Sequence, residues 1–457
     1  MIIKKNTSNI LHIFLVFHLM IWTLIPTFSN LNLPLDTIEA LAWGSNLDWG
    51  FNKHPPFSAL AVEIFYQIFG SQDWAYYLLS QLFVIVAFYV VYKFSEIFLN
   101  NKTLALFCVF LLEGILFYNF TTPEFNVNIS QLPFWALSIY FAWRCSKYDK
   151  LNDYVFLGVF IGLGILSKYL FVYLAVGITL YFIYLIQKRK RIPIRNYSIA
   201  SFVAVLILTP HLIWLVENNY SSLTYGFDRT GGVGSFLDHF IYPSIFLAKQ
   251  IIILLPFLFM GFFLIKKIKL KLNLNDDKLI FLFFTTLIPL ILVFLTSLVL
   301  GIKIRTMWMT PFYLFFGVLM IYVFRNMIKI NNLKKFFISF IFLLFLSPLT
   351  YLGISLYDDS KRTDYPGKEI ARLVQNKWDN NFINEIKLVI GDEWYAGNLS
   401  YHISSRPEWT KDLKDQASKI SPEGGVIYVG NPKILKEVCP GVFGTIKPVG
   451  YCMIGQK

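Results

Sequence analysis

Charged residues and cysteines are both scarce in this chain, and each scarcity excludes a class of protein. Only 15% of the 457 residues are Asp, Glu, Lys or Arg, whereas soluble proteins carry about 25%. The four cysteines and six histidines form no cluster with zinc-site spacing. Internal repeats and low-complexity tracts are absent as well. The chain is therefore neither a wholly soluble protein nor a repeat array.

Long apolar runs take the place of the missing charges. The sequence is 56% hydrophobic and 18% aromatic, and runs of about 20 apolar residues are long enough to cross a bilayer as helices. No cleavage site follows the first run, so we expect it to be retained as a span rather than removed as a signal peptide. The pattern predicts a polytopic α-helical membrane protein with about 11 transmembrane helices. The predicted spans are Ile10–Phe28, Trp74–Leu99, Thr103–Phe120, Ile129–Arg144, Tyr154–Ser167, Tyr169–Ile186, Ser198–Val216, Pro243–Ile265, Leu279–Leu300, Met307–Phe324 and Phe336–Ile354.

The net charge of +13 lies almost wholly in the first 356 residues, which carry +12. If the N-terminus is cytoplasmic, the loops rich in Lys and Arg alternate onto the same side, as the positive-inside rule requires. The charge therefore predicts orientation in a bacterial inner membrane, with the C-terminal region in the periplasm, rather than a nucleic-acid partner. In that oxidising compartment Cys439 and Cys452 either form a disulfide or stay free, and the residues leave both open. The basic clusters are Lys4–Lys5, Arg144–Lys150, Lys188–Arg195, Lys266–Lys278 and Arg325–Lys335.

The composition changes after Tyr357. Residues 357–457 carry a net charge of only +1 and have the composition of a soluble protein. The runs Leu388–Gly391 and Val426–Gly430 are typical of buried strands, and Gly367–Trp378 has the pattern of an amphipathic helix. The sequence predicts a membrane domain of residues 1–356 followed by a small periplasmic α/β domain of residues 357–457.

A polar segment between the first two apolar runs is the main candidate site. Asp36 and Glu39 are three residues apart, so both carboxylates share one face of a helix predicted over Leu35–Trp43. Close carboxylates can act as a base or hold a cation. The alternative is a structural role, in which the acidic pair caps the start of the helix.

Cations on the same predicted side of the membrane indicate an anion-binding site. Lys53 and His54 precede two prolines, whose rigid backbone suits a phosphate-binding pair, although a lysine here can also simply snorkel to the interface. Glu124 lies in the next outside loop, where it joins the site or only complements the dipole of a helix starting at Pro123. The other candidate cations are Lys168, Lys303 and Arg305, with His211 and Arg229 as weaker candidates.

Carboxylates and cations gathered at the outer leaflet suit chemistry on a lipid-linked phosphate. The cations would hold the phosphate leaving group, and a carboxylate would orient or deprotonate the acceptor. Lys168 follows Gly162 and Gly164, small residues that allow close helix packing and so place this lysine at a helix junction.

Two segments of the first loop resemble a known family. DTIEA at 36–40 and LDWGFNKHPPF at 47–57 are similar to the first external loop of the family 39 glycosyltransferases. These membrane enzymes are related to protein O-mannosyltransferases and to the aminoarabinose transferase of lipid A. The segments 123–137 and 162–169 resemble the bacterial branch of the same family.

The resemblance implies roles for particular residues. The catalytic Asp of the family follows the first span and corresponds to Asp36. Glu124 stands where the family has a second Asp. His54 occupies the lysine position of a Lys-Pro pair in the lipid A enzymes, with Lys53 one residue earlier, so either residue is a candidate for the phosphate contact.

The resemblance also implies a GT-C fold, with interfacial helices in the first external loop and an extracytoplasmic C-terminal domain. It implies a polyprenyl-phosphate sugar as donor, inversion at the anomeric carbon and no required cofactor, and it leaves a divalent metal open. The acceptor is lipid A or another envelope glycan or protein. The alternatives are a protein O-mannosyltransferase and, from another class, a transporter or flippase of a lipid-linked sugar, against which the absence of a repeat argues.

Overall fold

The computed structural model of the protein describes residues 6–189, 194–232, 234–265, 273, 275–328, 333–412 and 422–457. Most of the first 357 residues are helical, and short 3-10 and π segments connect or interrupt several of the helices. The helices of this part are α1 Thr7–Ser29, α2 Leu35–Gly44, α3 Phe57–Phe69, α4 Asp73–Leu99, α5 Lys102–Phe110, α6 Val127–Ser130, α7 Leu132–Tyr148, α8 Leu151–Ser167, α9 Val172–Arg189, α10 Ile194–Glu217, α11 Ser221–Asp228, α12 Asp238–Leu264, α13 Asp277–Leu282, α14 Ile288–Leu300, α15 Phe316–Phe324 and α16 Leu333–Tyr357.

Seven helices in the described part of the chain are long and apolar enough to cross a membrane, or eight if one pair bent by 50° counts as a single span. The predicted number of eleven spans is not confirmed. Each predicted span contains a helix, but four of the helices are short or broken. α5 ends after nine residues, α7 and α8 have 17 residues each, and the chain bends between Thr306–Tyr313 and Phe316–Met327.

The long helices pack closely where glycine removes a side chain. A Cβ atom on Gly158 of α8 would lie 2.3 Å from the carbonyl oxygen of Ala200 on α10, and one on Gly162 would lie 3.0 Å from Ile207. Gly164 makes the same kind of room for the Phe171 ring, which folds back over the end of α8. These contacts confirm the prediction of close helix packing beside Lys168 and fix the end of α8 that carries it.

The C-terminal part is a small α/β unit with a five-stranded sheet in the order β2-β1-β3-β5-β4. β1 is parallel to β2 and β3, whereas β5 is antiparallel to β3 and β4. The predicted strands and amphipathic helix are confirmed, and a disulfide joins Cys439 to Cys452. The elements are α17 Gly367–Asp379, β1 Leu388–Ile390, α18 Tyr395–His402, β2 Glu408–Thr410, β3 Val426–Gly430, α19 Pro432–Val438, β4 Val442–Ile446 and β5 Val449–Ile454.

This C-terminal unit is docked on the first inter-helix loop, which contains α2 and α3. Arg406 donates to the Glu63 carboxylate at 2.8 Å and to the Leu41 carbonyl at 2.6 Å. A Cβ on Gly397 of α18 would lie 3.1 Å from Ala42 of α2. The contact buries both surfaces, so α2 is fixed between the membrane helices and the C-terminal unit.

The division at residues 356 and 357 stays a prediction, although α16 ends at Tyr357. Part of the basic pattern lies outside the described residues, namely Lys4, Lys5, Lys190, Arg191, Lys266, Lys267, Lys269 and Lys329.

Candidate active-site cavity

A cavity of about 690 Å³ lies where α2, the loop after it, the α8–α9 junction and α11 meet the segment 302–308. Its polar lining brings together most of the residues proposed from the sequence, although they lie up to 269 positions apart, from Asp36 to Arg305. The charged residues of the lining are Asp36, Glu39, Lys53, Lys168, Arg229, Arg305 and Arg362. The rest of the wall is largely apolar and aromatic. A charged end and an apolar wall make a space that fits an amphiphilic anion.

Asp36 lies in the first turn of α2 and is linked to Glu124. Its backbone N–H donates to Glu124 Oε1 at 3.1 Å. The residue before α2 is Pro34, and no side chain caps this end of the helix, so the capping role considered for the acidic pair is wrong. Glu124 faces a second cavity of about 390 Å³, which shares Leu35 and Arg362 with the first.

The predicted helix start at Pro123 is also wrong. Residues around it form turns held by Asn119, whose carbonyl accepts from the Thr122 hydroxyl at 2.6 Å. The next helix, α6, begins at Val127 after the capping residue Asn126. Glu124 therefore does not complement a helix dipole and is free to contact α2.

Asp36 and Glu124 are electrostatically different although they are neighbours. Burial raises the pKa of Glu124 to about 8, and the negative charge of Asp36 adds to this shift. Burial also raises the pKa of Asp36, but Lys168 and Lys53 oppose that rise. Two close carboxyl groups resist ionising together because their negative charges repel, and their surroundings decide which group keeps a proton. Here the cations favour the ionised form of Asp36, and Glu124 keeps the proton.

Lys168 is the deepest cation of the cavity. It follows the last residue of α8, is buried, and donates to Asn128 Oδ1. Its Nζ lies 5.2 Å from the centroid of the Trp308 ring. Burial lowers the pKa of Lys168 to about 7, and the charge of Asp36 opposes this shift. An anion entering the cavity would favour the charged form and so bind more tightly.

Lys53 reaches the cavity but is already paired. Its Nζ lies 2.8 Å from Glu39 Oε1 and 3.4 Å from Glu393 Oε1 in the C-terminal unit. Burial lowers the pKa of Lys53, but the two carboxylates outweigh it, so the pKa lies above its usual value. Glu39 is correspondingly engaged with Lys53 rather than free as a second base.

His54 is not the cation suggested by the sequence. Burial lowers its pKa to about 3, and the positive charges of Lys168, Lys53 and Arg229 act in the same direction. The ring lies edge-on to Trp43 and Tyr225, at centroid distances of 5.9 and 6.2 Å. A neutral imidazole can still donate one hydrogen bond to a phosphate oxygen, but it contributes no charge.

Of the two predicted cations after α14, the structure places only Arg305 in the cavity wall. Lys303 points elsewhere: its Nζ lies over the Tyr242 ring at 4.8 Å, and its backbone N–H donates to Thr230 at 3.2 Å. Its predicted phosphate contact is therefore not supported.

The sequence did not point to Arg362 and Glu393, and it indicated Arg229 and His211 only as weaker candidates. Arg362 and Glu393 lie in the part interpreted as a separate domain, and only the shared outside location hinted at them. Arg229, a weaker candidate, lines the cavity, whereas His211 binds the Trp49 carbonyl at 2.6 Å and anchors the first loop. In the described part of the chain, Arg229, Arg305 and Arg362 form no ion pair.

Metal ligands are not clustered in the described residues: no group of three or more His, Cys, Asp or Glu side chains there could hold a metal ion. The positively charged residues that line the cavity are lysines and arginines.

Comparisons with known proteins agree with this architecture. Residues 53–214 match the family described as dolichyl-phosphate-mannose-protein mannosyltransferase. The lipopolysaccharide core galacturonosyltransferase RgtB of Rhizobium johnstonii is 25% identical over 195 residues, which cover 41% of this chain but only 38% of RgtB.

The fold resembles that of a solved enzyme over nearly its whole length. ArnT from Cupriavidus metallidurans, in a crystal structure with bound undecaprenyl phosphate, superposes with a TM-score of 0.67 at 12% identity and 98% coverage of both chains. Its apo structure gives 0.65, again at 12% identity and 98% coverage of each chain. The fold of the chain is therefore that of ArnT, a GT-C type fold, as the resemblance of its first loop implies.

Proposed function

We propose that the protein transfers one sugar from a polyprenyl-phosphate donor to lipid A or another acceptor of the bacterial envelope. The observation that carries this proposal is the cavity itself, in which Asp36 faces Lys168 and the unpaired arginines within about 690 Å³. Chemistry at the end of a lipid-linked phosphate needs such a combination of one carboxylate and several cations. The ArnT relative was crystallised with undecaprenyl phosphate, which supports a donor of this kind.

The donor would lie with its phosphate among the cations and its prenyl chain along the apolar wall. In the transfer, an acceptor oxygen attacks the anomeric carbon and inverts it. The bond between this carbon and the phosphate oxygen breaks, and its electron pair stays on the phosphate. Lys168, Arg229, Arg305 and Arg362 stabilise the polyprenyl phosphate that leaves, because each adds positive charge where negative charge develops.

The role of Asp36 depends on the acceptor. A hydroxyl acceptor must lose its proton, and the ionised Asp36 carboxylate would take it. A phosphate acceptor is already ionised, and Asp36 would then stabilise positive charge that develops on the sugar. The proposal covers both, with lipid A, another glycolipid and a protein hydroxyl as candidate acceptors.

We infer that the acceptor approaches through the second cavity. Its lining includes Glu124 and the hydroxyl groups of Tyr351 and Ser355, and it meets the donor cavity at Leu35 and Arg362. The link from Glu124 to Asp36 lies between the two spaces. An acceptor there would reach the anomeric carbon from the side opposite the phosphate, as inversion requires.

The face of the membrane is part of the same proposal. Residues from several loops that the charge pattern assigns to the outside, among them Asp36, Asn128, Lys168 and Arg305, line one cavity. This agreement supports a periplasmic active site in an inner-membrane protein with a cytoplasmic N-terminus.

The test is transfer by the purified protein from a labelled polyprenyl-phosphate sugar to lipid A, to other glycolipids and to a hydroxyl-containing peptide. We expect Asp36→Asn to lower the rate at least about 100-fold, as removal of a catalytic base or charge stabiliser does. Asp379→Asn, the same change at an exposed position of α17, should leave the rate unchanged. Full activity of Asp36→Asn, with an unchanged melting temperature, would contradict the assignment.

A further inference from the structure

The C-terminal unit contributes one buried carboxylate to the edge of the candidate active site. Glu393 Oε1 lies 3.4 Å from Lys53 Nζ, which also lies 2.8 Å from Glu39 Oε1. The side chains are only 17% exposed for Lys53, 12% for Glu39 and 10% for Glu393. Glu393 Oε1 has no hydrogen bond within the described structure, so Lys53 is its close polar neighbour. Lys53 thus joins α2 to a loop more than 300 residues later.

The backbone around Glu393 is held on both sides. Gly391 follows β1 with φ of +154°, in the region that favours glycine, and a Cβ there would lie 2.6 Å from the Val429 carbonyl. Asp392 Oδ1 accepts from the N–H groups of Trp394 and Tyr395, both at 2.9 Å, and so fixes the start of α18. Glu393 is therefore presented on a rigid turn.

The position of this turn in the sheet is also informative. It leaves the carboxyl end of β1, a strand that lies between two parallel neighbours. Open α/β sheets place their functional loops at the carboxyl ends of such strands. In this chain the carboxyl end of β1 faces α2 and Lys53, so the loop that leaves this strand lies toward the cavity.

Docking of the C-terminal unit does not depend on Glu393. Arg406 already ties the unit to Glu63 and to the Leu41 carbonyl, and Tyr401 donates to Asp73 at 2.7 Å. The Glu393 contact is separate from these and acts on a cation of the cavity wall. The expected effect of Glu393 is therefore on the position of the Lys53 ammonium group.

Two carboxylates around one ammonium group restrain it more firmly than one. Without Glu393, Lys53 would keep only Glu39 and would be drawn toward Asp36, whose negative charge it also senses. Such a movement would place Lys53 as a second cation against Asp36, the proposed catalytic carboxylate. It would also take Lys53 away from the phosphate of the donor. Glu393 itself does not line the cavity, so it acts through Lys53.

We propose that Glu393 is a positioning residue for Lys53, and that the C-terminal unit is for this reason a working part of the active site. The inference rests on the proposed glycosyl transfer. It deepens that function by giving Lys53, a cation of the cavity wall, a partner from the C-terminal unit.

The test compares Glu393→Gln with Glu423→Gln, the same change at an exposed position of the same unit. With a labelled polyprenyl-phosphate sugar, Glu393→Gln should raise KM for the donor about tenfold, within the range of couplings between contacting charged residues. Glu423→Gln should match the wild type, and Glu393→Asp should recover part of the loss.

A double-mutant comparison separates positioning from general stability. In a Lys53→Ala background, Glu393→Gln should have no further effect on KM, because the residue it positions is gone. An equal effect in both backgrounds, or a wild-type KM for Glu393→Gln, would overturn the inference. If the wild-type protein transfers no sugar from any donor, it is the proposed function that fails.

Discussion

The two carboxyl groups at the start of α2 show how neighbouring residues acquire different chemistry. Burial raises the pKa of both groups, but Lys168 and Lys53 oppose this rise at Asp36, whereas the charge of Asp36 adds to it at Glu124, whose pKa is about 8. A protonated Glu124 can donate a hydrogen bond to an acceptor oxygen while Asp36 accepts a proton or faces the sugar. The substitution of Glu for the usual Asp at this position therefore keeps a carboxyl group at the junction of the two cavities.

The raised pKa of Glu124 predicts a pH-dependent stability. An unfolded glutamate is ionised above its ordinary pKa of 4.5, whereas Glu124 in the folded protein holds its proton up to a pH of about 8. The folded chain therefore binds the extra proton in this window, and its stability should fall as the pH rises through it. The melting temperature of the wild type in detergent, relative to that of Glu124→Gln, should therefore fall as the pH rises from about 5 to about 8; Lys168 and His54, whose lowered pKa values act in the opposite direction, are present in both proteins and cancel in this comparison.

Glu423→Gln is the control for this measurement, because it makes the same change at an exposed position. It should keep the pH dependence of the wild type. A Glu124→Gln protein whose melting temperature follows the wild-type curve over the whole range would show that Glu124 is already ionised at neutral pH.

The sequence could predict which charged side chains come together only where the membrane topology alone brings their loops to one side. Asp36, Glu124 and Arg305 meet because the charge pattern brings their loops to one side of the membrane. The charge state of His54 and the direction of Lys303 depend on neighbours that belong to other loops. Glu393 could not be assigned, because its contact joins segments more than 300 residues apart.

At the scale of elements, the α8–α10 contact positions Lys168 at the cavity. Gly158→Ala should destabilise the protein by about 1–3 kcal/mol, as overpacking does in a close interface, because its Cβ would lie 2.3 Å from the Ala200 carbonyl. Gly353→Ala in α16 is the matched control, since no atom lies within 4 Å of a Cβ there. Thermal unfolding in detergent measures both.

The expected order is a lower melting temperature for Gly158→Ala and an unchanged or slightly higher one for Gly353→Ala. Equal melting temperatures for the two variants would mean that α8 and α10 can separate without cost. The account of how Lys168 is held would then be wrong.

Helix existence was predicted well, but helix length was not. Apolar composition identifies α5, α7 and α8 correctly as helices, yet they have only 9, 17 and 17 residues. Hydropathy measures whether a segment tolerates an apolar environment, and helices buried among others meet that condition without spanning a membrane by themselves. The strands around Leu388 and Val426 were predictable because short apolar runs ending at glycine have few alternatives.

At the scale of the whole molecule, the membrane helices and the C-terminal unit build one site together. Arg362 lines both cavities, and Glu393 reaches the cation next to the proposed catalytic carboxylate. The first loop lies between the two parts and is bound to both. This arrangement fits the proposed transfer between a donor held in lipid and an acceptor of the envelope.

The central claim is that this cavity breaks the bond between a sugar and a polyprenyl phosphate. Its most direct test uses the purified protein in liposomes and a donor labelled differently in its sugar and its phosphate. The account predicts that each sugar found on an acceptor is matched by one free polyprenyl phosphate, and that Asp36→Asn abolishes both products. Movement of the intact doubly labelled donor across the bilayer, without release of polyprenyl phosphate, would contradict it and indicate a transporter.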